Sequence, residues 1–205
     1  MEKEIKKEIE KLSNMSWTVR ENAVYTLGRL QAKEAIPHLI KALKDEEKYV
    51  RLAAISALSE LQAQEAIPHL IILLSEDEET IVRADAVYTL GRLQAKEAIP
   101  HLIKALKDEE FAVRYAAAKV ISKTDKDLIR KSLSNKDAFI RESAAYALGE
   151  LQAQEAIPEL ISLLSDESSD VKLSTIQVCN ELQARYELEV KKAIPELIKL
   201  LSEMI

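Results

Sequence analysis

A short phrase, Ala-Ile-Pro followed one residue later by Leu-Ile, recurs at 35–40, 66–71, 98–103, 156–161 and 193–198 of this 205-residue chain. A second phrase recurs between the copies: Val19-Arg20, Val50-Arg51, Val82-Arg83, Val113-Arg114, Ile140-Arg141 and Val171-Lys172, at successive steps of 31, 32, 31, 27 and 31 residues. At such a period no single copy can bury its apolar face alone. Each does so against its neighbours, which is the logic of a solenoid. Val24–Glu47 and Val87–Glu110 are identical letter for letter, which implies recent duplication of a two-repeat block or deliberate construction.

Each repeat reads as two helices. All five prolines (Pro37, Pro68, Pro100, Pro158, Pro195) fall at one repeat position, ahead of Leu-Ile. Proline is tolerated in a first helical turn, where its missing N–H would have no partner anyway. The spacing therefore predicts a short first helix over Pro37–Lys44 and its counterparts. A second helix is predicted to start near each Val-Arg pair. Six residues before each Arg or Lys stands Asn14, Asp45, Asp77, Asp108, Asn135 or Asp166, residue types that accept an orphan backbone N–H at a turn or helix start. Val50, Ala54, Leu58 and Leu61 exemplify the apolar positions that follow, within about 80° of one another on a helix. Nine residues after the Val comes a mainly small column, Gly28, Ser59, Gly91, Ser122, Gly149 and Asn180, which implies close backbone approach.

The series Ala-Ile-Pro-x-Leu-Ile-x-x-Leu, then Asp, then Val-Arg, then Ala and Leu-Gly resembles the HEAT-like repeats of the phycobilisome-lyase (E–Z) type, from about Met15 to Met204. The resemblance implies an all-α fold, a right-handed α-solenoid of stacked helix pairs, with the first helices convex and the second helices concave. It also implies an Asp/Arg ladder, carried by Asp45, Asp77, Asp108 and Asp166 with Arg51, Arg83, Arg114 and Lys172, and weakened at Asn14 and Asn135. The domain reading is a single array over 1–205. Residues 1–13 form an N-terminal capping helix with an Ile5, Ile9, Leu12 stripe, and 14–184 hold six repeats. Residues 122–135 are degenerate, with a shorter first helix near Lys126–Leu133; 185–191 are an insertion and 192–205 a C-terminal helix.

Composition removes several classes of function. The net charge of −6 is unlike a protein that grips a phosphate backbone, so no nucleic-acid partner is expected. No apolar run approaches the roughly 18 residues of a membrane span, and Met1–Glu8 lacks the apolar segment of a signal peptide. One cysteine allows no internal disulfide, so a cytoplasmic, reducing location is expected.

The aromatic residues carry the candidate site. Trp17, Tyr25, Tyr49, Tyr88, Phe111, Tyr115, Phe139 and Tyr146 sit on second helices, about 160–260° around from the Val while the core stripe centres near 40°. A row of rings facing away from a core is what protein interfaces use as anchors. Glu21, Asp85 and Glu142 share this surface, so the site expected to bind a partner is an aromatic, acidic concave face. His38, His69 and His101 form a column on first helices. Neighbouring helices lie about 8–10 Å apart, too far for a bond of about 2 Å to one ion, so these read as solvated residues, with no metal or cofactor. Cys179 stands where other repeats have Leu or Ile and reads as core. No catalytic constellation is present, so the chain is not expected to be an enzyme.

The reading is a non-catalytic scaffold that binds a protein or peptide. Alternatives are an accessory subunit of a bilin lyase-type complex, an engineered repeat scaffold, and a DNA-lesion-binding HEAT-like protein, the last disfavoured by charge. Leu197, Ile198, Leu200 and Leu201 repeat an interior pattern at the chain's end, so truncation from a longer array or a homodimer through this helix is expected.

Overall fold

The computed structural model describes residues 1–185, so the expected insertion beyond Arg185, the C-terminal helix and its dimer lie outside the described residues. Twelve α-helices and no strand occur among them. The helices are α1 (Glu2–Lys11), α2 (Trp17–Arg29), α3 (Ile36–Ala42), α4 (Lys48–Glu60), α5 (Ile67–Glu76), α6 (Thr80–Arg92) and α7 (Ile99–Ala105). They continue with α8 (Phe111–Thr124), α9 (Lys126–Ser132), α10 (Ala138–Glu150), α11 (Ile157–Ser162) and α12 (Ser169–Arg185). They fall into two compact bodies, Met1–Ala105 and one beginning at Leu106.

In the first body α2 packs on α4 and α4 on α6, with α1 against the outer side of α2, α3 against α4 and α5 against α6. In the second, α8, α10 and α12 stack in the same way, with α9 against α8 and α10 and α11 against α12. The second helices of the repeats thus form one layer in each body and the short first helices another. The stripe predicted from Val50, Ala54, Leu58 and Leu61 is buried throughout, as are Val24, Leu27, Val87 and Leu90 beside it. On α1, Ile5 is buried, and Glu8 is buried with it, its carboxylate held at 2.7 Å by Lys11.

Proline starts the first helices as the sequence predicts, at the first or second turn position of α3, α5 and α11. A 3₁₀ turn precedes each of these and α7, at Lys33–Ala35, Gln64–Ala66, Lys96–Ala98 and Gln154–Ala156. The helix before each turn closes with a glutamine in the left-handed region: Gln31, Gln62, Gln94 and Gln152 have φ of 51–54°. Around each, two bonds form the pattern in which one N–H reaches back five residues and the one before it three, as in Ala32 to Leu27 and Gln31 to Gly28. A non-glycine residue pays strain here. The side chain offsets part of it, since Gln62 Nε2 donates to the Ser59 carbonyl at 2.9 Å.

The degenerate repeat differs from expectation. Its first helix, α9, has seven residues, the same length as α3. What is missing is the 3₁₀ turn: α8 runs on to Thr124, and Asp125 alone joins it to α9, capping the Leu128 N–H. Loss of the Gln-Ala-Lys-Glu-Ala-Ile-Pro segment removes the chain that would make a turn, so the short step is absorbed in the connection.

The small column does mark close approach. A Cβ added at Gly28 would lie 3.1 Å from Ala57 Cβ, and one at Gly149 would lie 2.5 Å from a Val178 methyl.

Candidate functional site

Two sets of side chains converge along the second helices. The first is the charged ladder at their N-terminal ends. Each recurring Asp or Asn accepts the N–H two residues on, as Asp45 does from Glu47 at 3.0 Å and Asn135 from Asp137 at 3.0 Å. Each Arg then donates Nη1 to two carbonyls of the same turn: Arg51 to those of Asp45 and Glu46, Arg114 to those of Asp108 and Glu109. In Arg20, Arg51 and Arg141 the remaining fork reaches forward to the acid of the following repeat. Arg20 meets Asp45 through two bonds of 2.7 Å, Arg141 meets Asp166 likewise, and Arg51 meets Asp77 at 2.7 and 2.9 Å.

The environment sets the charges of the ladder. Burial pushes the Asp45 carboxyl up, but the Arg20 fork and the Glu47 N–H outweigh it and leave it below its ordinary value. Asp166 is lowered in the same way by Arg141 and the Ser168 N–H against its burial. The Arg20 and Arg141 guanidiniums are raised in turn, first by their bonds to those carboxylates. Where these pairs form, the groups of the ladder are spent on one another.

The second set is the aromatic face. In the first body Trp17 stacks on Tyr49 with ring centroids 5.3 Å apart. Tyr25 and Tyr49 are each 47% exposed and Tyr88 is 37% exposed, while Glu21 and Asp85 are half-buried on α2 and α6. Burial raises the Asp85 carboxyl. In the second body Phe111, Tyr115 and Tyr146 form one cluster, with centroids 5.3–6.3 Å apart. Tyr146 is half-buried in it, with its hydroxyl on Gln177 Oε1 at 2.7 Å, so of the three equivalent tyrosines Tyr25 and Tyr88 are exposed and Tyr146 is not. Tyr115 is half-buried beside Lys119 and Glu150; burial, and then the Glu150 carboxylate, push its hydroxyl up to about 12. Phe139 is 53% exposed, and its ring centroid lies 4.3 Å from the Arg114 guanidinium carbon. Glu142 accepts the Ser174 hydroxyl at 3.1 Å and faces Arg114 at 3.6 Å.

Arg114 belongs to this surface and was not among the site residues expected from the sequence. The signal was there: the acid that should answer it in the next repeat is Asn135. Of the other residues considered, Cys179 is buried and its thiol is pushed up to about 11 by that burial. His38 is exposed, His69 and His101 are half-buried, and no metal-ligating group of three side chains occurs among the described residues. No helix among the described residues is long and apolar enough to cross a membrane.

Comparison with known proteins places this arrangement in a family. The HEAT repeats family profile matches residues 5–90, 67–127 and 124–180, so the chain belongs to the HEAT-repeat proteins, an all-α class built of stacked helix pairs. Among solved structures it is similar to the complex of CpcE and CpcF of phycocyanin lyase from Nostoc sp. PCC7120, with 25% identity, 87% of this chain and 82% of that chain covered, and a TM-score of 0.51. It is also similar to the YibA protein of Escherichia coli, with 21% identity, 98% and 82% covered, and a TM-score of 0.58. No curated protein matches it.

Proposed function

We propose that this chain is a non-catalytic scaffold that binds a protein or peptide on the aromatic face of its second helices. The observation that carries this reading is the exposure of Tyr25, Tyr49 and Tyr88 on the second helices of the first body and of Phe111 and Phe139 on those of the second. Rings left in water at an energetic cost repay it when a partner covers them, and they bury much area for few lost rotamers. The ladder supports the reading from the other side, because the acids of its Arg20–Asp45, Arg51–Asp77 and Arg141–Asp166 pairs are held by their arginines and are left without freedom for acid–base chemistry.

The test compares captured partners. Wild type and the Tyr25→Ala, Tyr88→Ala, Phe139→Ala triple variant are immobilised side by side, with a Lys41→Ala variant on the opposite helix layer as control. A partner bound by wild type and Lys41→Ala but lost by the triple variant supports the reading; partners indifferent to the rings sink it.

The similarity to the CpcE–CpcF complex favours a second reading, in which the chain is one subunit of an assembly of that lyase kind. Mixing the purified chain with a bilin and recording its visible spectrum separates the two. A shifted, sharpened band favours the lyase-type reading, and an unchanged one favours the scaffold.

A further inference from the structure

We infer that the Arg114 guanidinium is a docking point for an aspartate or glutamate side chain of the bound partner; this deepens the scaffold reading above and rests on it. Three other forks are filled from within their own body. Arg20, Arg51 and Arg141 each turn Nε and Nη2 to an Asp of the following repeat at 2.7–2.9 Å. Arg114 has the same helix position and the same two Nη1 bonds, to the Asp108 and Glu109 carbonyls at 2.8 Å. Its fork meets no carboxylate at hydrogen-bonding distance among the described residues. Asn135 stands where the acid would be and spends its side-chain oxygen on the Asp137 N–H. Nε of Arg114, like Nε of Arg51, is buried without a well-aligned hydrogen bond, but Arg51 Nε has the Asp77 carboxylate at 2.7 Å, whereas Arg114, only 4% exposed, has no carboxylate that close among the described residues. Nη2 is ion-paired with Glu142 at 3.6 Å, beyond hydrogen-bonding range, and with no other carboxylate among the described residues.

A planar fork of this kind is matched by a carboxylate, which can accept both bonds at once. The nearby Glu142 charge disfavours a dianion such as phosphate at the same place. The rings say what should flank the acid. Phe139 lies over the guanidinium and is 53% exposed, and Phe111, 5.7 Å from it, is 37% exposed. Entry requires the Phe139 ring to swing aside, which its exposure permits. The occupant is therefore an acidic side chain between apolar ones, presented by a partner polypeptide.

Asn135→Asp tests this by giving the fork an internal carboxylate. The variant should melt about 2–4 °C higher than wild type; an unchanged or lower melting temperature would show that the fork lacks nothing. A random peptide library displayed on phage is then selected against wild type. The expected consensus holds one Asp or Glu among apolar residues. Changing that acid to its amide should weaken binding about tenfold, with Asn135→Asp giving a similar loss and the two together little more. Peptides without an acid, or indifferent to Asn135→Asp, overturn the inference. If such peptides still lose affinity with Tyr25→Ala, the scaffold reading survives alone; if no peptide binds the second-helix face, both fall.

Discussion

Arg20 and Asp45 are joined side on, Nε to Oδ2 and Nη2 to Oδ1, each at 2.7 Å, with both side chains about nine-tenths buried. The two belong to successive repeats, so the bond is a rivet between them. The same Arg also holds the carbonyls of Asn14 and Met15 in its own turn. One side chain therefore fixes both the local turn and the stacking of the next repeat.

Removing an interior rivet should be expensive. Arg51→Ala leaves the Asp77 carboxylate, 5% exposed, without its partner and two carbonyls without donors. The expected loss is about 3–5 kcal/mol, against less than about 0.5 kcal/mol for the exposed Lys41→Ala. Urea melts of the two variants check this, and equal small losses would show the ladder to be ornamental.

Acid should release two of the rivets, Arg20–Asp45 and Arg141–Asp166. Asp45 and Asp166 have folded-state values lowered below their ordinary one. The stability they add is full above the unfolded carboxylate value of about 4 and is lost as pH falls through the lower folded values. Urea midpoints should hold level from pH 7 to about 5 and drop steeply below about 4. In Asp45→Asn the midpoint should start lower at pH 7 and fall less on acidification.

Much of this architecture was legible in the residues, because its causes are local. Pro37 and its counterparts start helices through their fixed φ, and Val50, Ala54, Leu58 and Leu61 share a helical face through spacing alone. The direction of each rivet was not legible. Arg51 is close in sequence to Asp45, but its fork reaches Asp77, and only the stacking of α4 on α6 brings those two together. Tyr146 was misread for a similar reason: its position on α10 faces outward, but Phe111 and Tyr115 from α8 close around it. The glutamine caps were hidden because the usual signal for a left-handed residue is glycine or asparagine.

Close packing at the small column gives a third prediction. Gly149→Ala should destabilise by about 1–3 kcal/mol, because its new methyl meets the β-branched Val178 side chain, which cannot retreat as a long chain would. Thermal melts of Gly149→Ala and of Gly149→Ala with Val178→Ala check this; the second substitution should recover part of the loss if the clash is its cause.

Cys179 offers a probe of the second body's integrity. Its thiol is buried and pushed up to about 11, so little thiolate forms at neutral pH. A disulfide reagent at pH 8 should label the native chain far more slowly than the chain in urea. Equal rates would mean that α12 opens freely.

The claim that the second-helix face is the binding surface is tested most directly by affinity for one selected peptide. Its dissociation constant is measured for wild type, for the Tyr25→Ala, Tyr88→Ala, Phe139→Ala triple variant, and for an Ile72→Ala, Ile103→Ala control on the first helices, whose side chains are comparably exposed. The account predicts a loss of about tenfold or more for the ring variant at an almost unchanged melting temperature, and less than about twofold for the control. Full affinity in the ring variant together with a loss in the control would contradict it.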